Sequence, residues 1–356
     1  MTQAIDHPSV GPLPEVSHGL WALGWRRLRK DRVGMISLAI VAVYVLICIG
    51  GALGFVGATW RDEVAKPYAP PTLLQQFIPQ GAELTGENIR AANADDDAGR
   101  TGLAPANDPL AALLAGIGNG ADQYRTQDVE RVQTLILGAD QRGRDILQKI
   151  LKGTSVSMFI GLFGALCAIT IGTFLGALAG YFGRWVDDLL MWFYSVFTSI
   201  PDMLLLLSFA AVLSRGINTV ILVFALTSWT GTFRLMRAEF MRHKTREYVM
   251  AADAIGASHL RRMFVHILPN VSHLLLVQFS LMTIGMIMSE AILSFLGFGV
   301  GITQTSWGSV LAEVPAELLQ GYWWQMASVT LFMSVLVTAF SLLTDSLRDA
   351  LDPRVG

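Results

Sequence analysis

The chain has 356 residues, of which 53% are hydrophobic and 15% charged, and its formal net charge is -2. Soluble domains carry about 25% charged residues, so this composition excludes an ordinary water-soluble globule and favours a membrane protein. The net charge carries little information by itself, because in membrane proteins the distribution of Lys and Arg between loops matters more than their sum.

Six stretches are long and apolar enough, or nearly so, to cross a membrane. Crossing the hydrocarbon core takes about 20 mostly apolar residues. The stretches are residues 33–60, 154–183, 189–214, 216–233, 271–298 and 318–344. Only Asp202 in the third and Glu290 in the fifth interrupt them with a charge. The sequence therefore predicts an all-α polytopic membrane protein with six transmembrane helices and with both chain ends on one side.

The basic residues indicate which side is inside. Five of them precede span one, and seven more lie between spans four and five: Arg26, Arg27, Arg29, Lys30, Arg32, Arg234, Arg237, Arg242, Lys244, Arg246, Arg261 and Arg262. Cytoplasmic loops are enriched in Lys and Arg, so we expect both of these regions, and both termini, in the cytoplasm. The predicted organisation has four parts. A cytoplasmic tail with the first helix covers residues 1–58, an external hydrophilic loop covers 59–153, a membrane core covers 154–346, and a second cytoplasmic tail covers 347–356.

Two helices carry unusual backbone residues. Gly172, Gly176 and Gly180 recur every four residues in span two, so they share one face. Such a face lets another helix approach closely, either from this chain or from a second subunit. Pro201 lies midway along span three, and we expect it to bend that helix because it removes one helical hydrogen bond and crowds the preceding turn.

Asp202 and Glu290 are the two ionisable residues within predicted spans. Charges inside a bilayer usually face protein or a water-filled cavity, so both are candidates for lining a transport pathway. For Glu290 the alternative is a structural role at a helix break near Gly297.

No residue pattern supports catalysis, a metal or a cofactor. Gly138 and Gly143 have the spacing of a phosphate-binding loop, but Arg144 and Asp145 follow where that loop needs Lys and a hydroxyl residue. We therefore expect an ordinary turn before a helix. The six His residues show no ligand-like pairing, and no nucleic-acid partner is expected.

The loop between spans four and five predicts two short helices. The first covers residues 248–255 and ends at Gly256, and the second begins with Ser258 as its N-cap. Its apolar residues fall on one face, which is typical of an amphipathic surface helix: Leu260, Met263, Phe264 and Ile267. Pro269 then suits the first turn of span five.

This loop resembles the EAA loop of ABC importer permeases. Ala251, Ala252, Gly256, Leu268 and Pro269 match that motif in order and spacing. Met250 replaces the usual leading Glu, and His266 stands where many subfamilies have Ile. The chain is similar to the dipeptide and oligopeptide type of permease, which has an extra N-terminal transmembrane helix. The similarity lies around His266 and in blocks near residues 28–32, 137–145, 293–299 and 347–354.

The resemblance implies a type I ABC importer permease fold, with residues of about 234–270 as the loop that couples to an ATPase. It further implies a second homologous permease, two cytoplasmic ATPase subunits and an external solute-binding protein, in a bacterial inner or plasma membrane. The chain itself would neither bind nor hydrolyse ATP. Peptides are the expected substrate, with nickel or another small solute as the alternative. A self-sufficient secondary transporter is the rival class, but no inverted repeat is visible in the sequence.

Overall fold

The computed structural model describes residues 20–72, 132–301 and 303–351. These residues belong to two compact units, one within residues 1–61 and 146–356 and the other within residues 62–145. Most of the predicted external loop, and the two chain ends, lie outside the described residues.

The first unit is helical. In chain order it contains α1 (Leu20–Leu28), α2 (Arg32–Ala52), α3 (Ile146–Phe182), α4 (Arg184–Thr198), α5 (Asp202–Val212), α6 (Ile217–Thr227), α7 (Thr230–His243), α8 (Glu247–Ala254), α9 (His259–Arg261), α10 (Leu268–Phe295), α11 (Trp307–Leu319) and α12 (Trp324–Leu351). A π-helical segment, Arg262–Ile267, joins α9 to α10 into one continuous helix.

Four helical stretches of the described chain are long and apolar enough to cross a membrane alone: α2, α3, the continuous helix through α9 and α10, and α12. Two bent pairs, α4 with α5 and α6 with α7, each meet the same criteria together. If each bent pair makes one crossing, the described chain crosses the membrane six times. The predicted all-α polytopic fold is confirmed.

The two bent pairs break for different reasons. α4 and α5 meet at 81°, immediately after Pro201, so the predicted bend is confirmed. α6 and α7 meet at 42° across a short break without proline, which the sequence did not predict. There the Thr227 hydroxyl donates to the Val223 carbonyl at 2.9 Å, and the Trp229 indole donates to the Leu226 carbonyl at 3.0 Å. Side chains thus bond carbonyl groups near the end of α6.

The predicted end of span one and the predicted start of span two are wrong. α2 ends at Ala52 rather than at residue 60, and α3 begins at Ile146 rather than at residue 154. Lys149 and Lys152 lower the hydropathy of the first two turns of α3, but a helix does not need apolar residues to form. Lys149 is only 1% exposed and pairs with Glu313 of α11, which explains how its charge is accommodated.

The last predicted span is also displaced. Residues 318–344 were expected to be one helix, but α11 ends at Leu319 and α12 begins at Trp324. Gly321 lies between them with φ of +89°, a conformation that ends a helix and favours glycine. α12 then continues to Leu351, so the first part of the predicted tail 347–356 is helical.

α3 is the central helix of the first unit and packs against α2, α6, α7 and α10. Gly172, Gly176 and Gly180 form the surface that meets α7. A Cβ atom on any of them would lie 2.4 to 2.6 Å from a main-chain oxygen within residues 229–237. The close helix approach that these glycines permit is therefore made within this chain.

Asp31 fixes the start of α2. Its carboxylate accepts hydrogen bonds from the N–H groups of Val33 and Gly34 at 3.0 and 3.1 Å and from the Ser346 hydroxyl of α12 at 2.5 Å. The bond from Ser346 is the largest influence that lowers the pKa of Asp31 below its usual value. One cap thus connects the start of α2 with the last turns of α12.

The second unit contains the turn that resembles a phosphate loop. The Asp140 carboxylate accepts hydrogen bonds from the main-chain N–H groups of Arg142 and Arg144 at 2.9 and 3.0 Å. The Arg144 guanidinium also donates to it at 2.7 Å. The Asp140 side chain therefore stabilises the turn, and a helix begins at Ile146, so the predicted turn before a helix is confirmed.

Candidate functional site

A cleft of about 570 Å³ lies in the first unit, where both helix breaks meet α10. The first break contributes Thr198 and Asp202, the second contributes Ser228, and α10 contributes Gln278 and Ser289. Helix breaks leave main-chain polar groups without intrahelical partners, and a membrane protein tolerates such groups where they line a cavity. The cleft therefore places several polar side chains among apolar ones within the bundle.

Two opposite charges lie on this cleft. Asp202 begins α5 and Arg234 lies in the first turns of α7, and both side chains are exposed. Within the described part of the chain, neither residue forms an ion pair. Arg237, one turn further along α7, differs because its guanidinium holds the Asp187 carboxylate of α4 through two bonds of 2.6 and 2.7 Å. The sequence singled out Asp202, but it gave Arg234 no role beyond the basic loop of about residues 234–270 between spans four and five, called the inner loop below after its predicted side.

Glu290 does not line the cleft. It is completely buried, and its carboxylate accepts hydrogen bonds from the hydroxyl groups of Ser157 and Ser294 at 2.7 and 2.6 Å. The Ser157 hydroxyl also accepts the main-chain N–H of Trp307 at 3.1 Å, and the Ser306 hydroxyl donates to Ser294 at 3.2 Å. Glu290 therefore connects α3, α10 and the start of α11. Of the two roles that the sequence left open for Glu290, these contacts favour the structural one.

The inner loop has the local structure that its sequence predicts. α8 is followed by Gly256 with φ of +80°, and a Cβ atom there would meet nothing within 4 Å. Ser258 caps the next helix, because its hydroxyl accepts the N–H of Arg261 at 3.4 Å. Both expectations for this turn are confirmed.

The helix that follows does not stop before span five. Pro269 cannot donate to the carbonyl four residues earlier, and its ring crowds that carbonyl. In the π-helical segment the N–H of Leu268 bonds instead to the carbonyl of Met263, which widens the turn and lets the helix continue. The wider turn also changes the helical register. Of the predicted apolar face, Met263 and Ile267 are fully buried and Phe264 is half-buried, whereas Leu260 is 62% exposed.

The five motif residues do not share one environment. Ala251, Gly256 and Pro269 are exposed, Leu268 is half-buried, and Ala252 is only 4% exposed. Ala252 therefore faces the interior of this chain. The exposed surface of the loop also carries apolar side chains, those of Met250, Ile255 and Leu260.

Arg262 is a residue of this loop whose role the sequence did not reveal. It is 9% exposed, and its guanidinium lies 2.9 Å from Nδ1 of His259. The Tyr181 hydroxyl at the end of α3 lies 3.1 Å from the same nitrogen. The His259 ring thus lies between the Arg262 guanidinium and the Tyr181 hydroxyl. The charge of Arg262 suggested an exposed basic loop, and only the fold places it between two helices.

Within the described residues, no group of His, Cys, Asp or Glu side chains is placed to hold a metal ion. The polar groups of the cleft are hydroxyl, amide and ionic side chains. Comparisons with known proteins show which family shares this sequence and fold.

Residues 172–356 match the family described as the binding-protein-dependent transport system inner membrane component. The chain belongs to that family. Residues 19–71 match the N-terminal transmembrane domain of oligopeptide transport permease C. The matched regions contain α2, the two helix breaks, the inner loop and the last helix, so the predicted resemblance to permeases of this type is confirmed.

Similar proteins include the dipeptide transport system permease protein DppC of Bacillus subtilis (strain 168), 33% identical over 61% of this chain and 68% of that protein. DppC of Lactococcus lactis subsp. cremoris (strain MG1363) is 28% identical over 93% of this chain and 90% of that protein. The glutathione transport system permease protein GsiD of Pectobacterium atrosepticum is 38% identical over 62% and 72%. Among solved structures, the MetNI methionine ABC transporter in inward-facing conformations has a TM-score of 0.47 and 17% identity, covering 58% of this chain and 98% of that chain.

This permease is a multi-pass membrane protein. Its family supplies the membrane component of importers that work with ATPase and binding-protein partners. ATP hydrolysis belongs to those partners, and the permease is not the catalytic subunit.

Proposed function

We propose that this permease carries short peptides across a bacterial cell membrane and forms one half of a pathway that a second, homologous permease completes. The relatives named for dipeptides, oligopeptides and glutathione support peptides over nickel or another small solute. Two cytoplasmic ATPase subunits and an external solute-binding protein complete the importer.

The cleft at the two helix breaks is the observation that carries the proposal. Its walls combine polar and apolar side chains, and its volume of about 570 Å³ falls in the range of about 300–1,000 Å³ that small-molecule sites occupy. A self-sufficient transporter would need coupling-ion sites within the chain. The cleft contains two charges of opposite sign that form no ion pair within the described residues, and they suit a solute better than a bound cation.

The inner loop supplies the coupling in this proposal. Ala251 and Gly256 are exposed and small, and Leu268 and Pro269 belong to the helix that continues into α10. An ATPase that contacts α8 would therefore act directly on α10, which contributes residues to the cleft. The basic residues around this loop favour the cytoplasmic side for it and for both termini, and the external side for residues 62–145.

A cysteine at Gly285 tests whether the cleft is the pathway. Gly285 lines the cleft, and a Cβ atom there meets nothing within 4 Å, so Gly285→Cys fits without displacing a neighbour. The complete importer, reconstituted in proteoliposomes, is treated with a bulky maleimide before uptake of a radiolabelled tripeptide is measured. We expect modification of Gly285→Cys to stop uptake, because the added group fills the cleft.

The matched control is Leu166→Cys, since Leu166 is 52% exposed on α3 but does not line the cleft. Treated wild-type protein accounts for the native residues Cys48 and Cys167. Peptide uptake that persists after complete modification of Gly285→Cys would contradict the proposed pathway.

A further inference from the structure

The cleft combines one carboxylate and one guanidinium on different helices. Asp202 comes from the start of α5, and Arg234 comes from α7 beyond the second break. Both side chains are exposed, and neither is paired with another charge of the described chain. The other two arginines of α7 each lie against a carboxylate, Arg237 against Asp187 and Arg242 against Glu239, so within the described residues Arg234 is the arginine of this helix that is available to a ligand.

We propose that these two charges bind the two ends of a peptide. Asp202 accepts hydrogen bonds from the terminal ammonium group, and Arg234 donates to the terminal carboxylate. The proposal rests on the cleft being the transport pathway and deepens it by naming the groups that recognise the substrate.

The chemistry of a free peptide fits this pair. A short peptide at neutral pH carries one positive and one negative end, so it supplies both counter-charges while the occupied cleft stays neutral. The guanidinium presents its donors in a planar fork that matches a carboxylate, and such charge-assisted bonds are about twice as strong as neutral ones. Away from bulk water, a charge that gains a counter-charge is stabilised, whereas one that stays unpaired is costly.

The other residues that line the cleft explain why the side chains of a transported peptide would matter less for binding than its two charged ends. Thr198, Gln278 and Ser289 offer neutral donors and acceptors that suit any peptide bond. Met282 and Met286 provide flexible apolar surface that adapts to different side chains. The cleft thus combines fixed recognition of the ends with tolerant recognition of the middle.

Uptake of three related peptides by the complete importer in proteoliposomes tests the proposal. The probes are Ala-Ala-Ala, its C-terminal amide, and propionyl-Ala-Ala, which lacks the ammonium group. Each is supplied at a concentration that saturates the binding protein. Each variant is compared with wild type for the same peptide, so that the preference of the binding protein itself cancels.

We expect Arg234→Gln to lower uptake of Ala-Ala-Ala by about tenfold or more and to leave uptake of the amide unchanged, because the amide has no carboxylate to lose. Asp202→Asn should lower uptake of Ala-Ala-Ala to a similar extent and leave propionyl-Ala-Ala unchanged. Arg234→Lys should restore part of the preference for a free terminal carboxylate over the amide, because lysine keeps the positive charge but lacks the planar guanidinium.

The matched controls are Arg215→Gln and Asp188→Asn, which remove exposed charges outside the cleft and should transport all three peptides at the wild-type rate. Equal loss for all three peptides in Arg234→Gln and Asp202→Asn would overturn the recognition of the ends. Unchanged uptake in both variants would also overturn it. If uptake also persists in modified Gly285→Cys, the pathway itself is wrong; if modification stops uptake, only the recognition of the ends fails.

Discussion

The guanidinium of Arg262 bonds to the carboxylate of Asp253 across the turn at Gly256, with 2.5 Å between Nη1 and Oδ1. Asp253 belongs to α8, and Arg262 begins the π-helical segment. Because Arg262 also contacts His259 and lies over the ring of Tyr181, it holds α8 against the inner end of α3.

We predict that Arg262→Met weakens coupling more than Asp253→Asn does. The Asp253 side chain is 63% exposed, so solvent screening limits the loss to about 0.2–1 kcal/mol. The Arg262 side chain is 11% exposed and has several partners, so its loss costs about 1–3 kcal/mol. The measurement is peptide uptake per ATP hydrolysed by the reconstituted importer.

The exchanged pair, Asp253→Arg with Arg262→Asp, is the control for this prediction. It keeps an ion pair across the turn, so it should recover part of the peptide uptake per ATP hydrolysed that Arg262→Met loses. A ratio that stays at the wild-type value in Arg262→Met would show that this contact does not position α8.

We predict that Gly256→Val abolishes ATPase co-purification and peptide uptake while the protein still reaches the membrane at normal abundance. With φ of +80° and no neighbour within 4 Å of a Cβ atom, the cost lies in the backbone rather than in a clash. Left-handed backbone costs an ordinary residue about 1–2 kcal/mol, and a β-branched residue is among the least tolerant.

Gly256→Asn separates backbone strain from side-chain bulk, because asparagine adopts the left-handed region more readily. We expect it to keep most of the uptake. If Gly256→Val transports normally, or fails only because the protein is degraded, the turn is not part of the coupling contact.

We predict that Glu290→Gln keeps fold and uptake, whereas Glu290→Leu destabilises the permease. Glutamine retains an oxygen that accepts from Ser157 or Ser294, while leucine leaves buried hydroxyl groups without that partner at a cost of about 1–3 kcal/mol. The thermal unfolding midpoint of the purified permease measures the difference. If Glu290→Gln has a normal thermal unfolding midpoint but altered peptide selectivity, Glu290 takes part in the transport pathway after all.

We predict that an impermeant thiol reagent labels Lys66→Cys on intact cells and does not label Glu247→Cys until the cells are permeabilised. Both positions are exposed, Lys66 in the second unit and Glu247 at the start of α8. The prediction follows from the basic residues around α8, which favour the cytoplasm. The reverse pattern would invert the proposed orientation.

Local features of the sequence predicted local structure well. Pro201 bends its span, and Gly256 with Ser258 forms the turn between two helices, because each depends on the backbone preferences of a few neighbouring residues. The apolar stretches located the spans but not their ends, since helices such as α3 extend beyond their apolar part when a residue like Lys149 finds a partner.

Contacts between distant residues could not be predicted. Glu290 and Ser157 are 133 positions apart, and the charge of Glu290 alone fits a pathway as well as a buried cluster. Arg234 and Arg237 are one helical turn apart and look equivalent in the sequence. Only the position of Asp187 on α4 distinguishes the engaged arginine from the one on the cleft.

The π-helical segment makes the inner loop and the wall of the cleft parts of one rod. The helix from His259 to Phe295 has 37 residues, which corresponds to a length of about 55 Å at 1.5 Å per residue. Gln278, Gly285 and Ser289 lie on one side of it, at intervals of seven and four residues. A twist applied at the His259 end turns all three positions by the same angle, so in the proposed importer a movement at the ATPase contact would also change which side of this helix the solute meets.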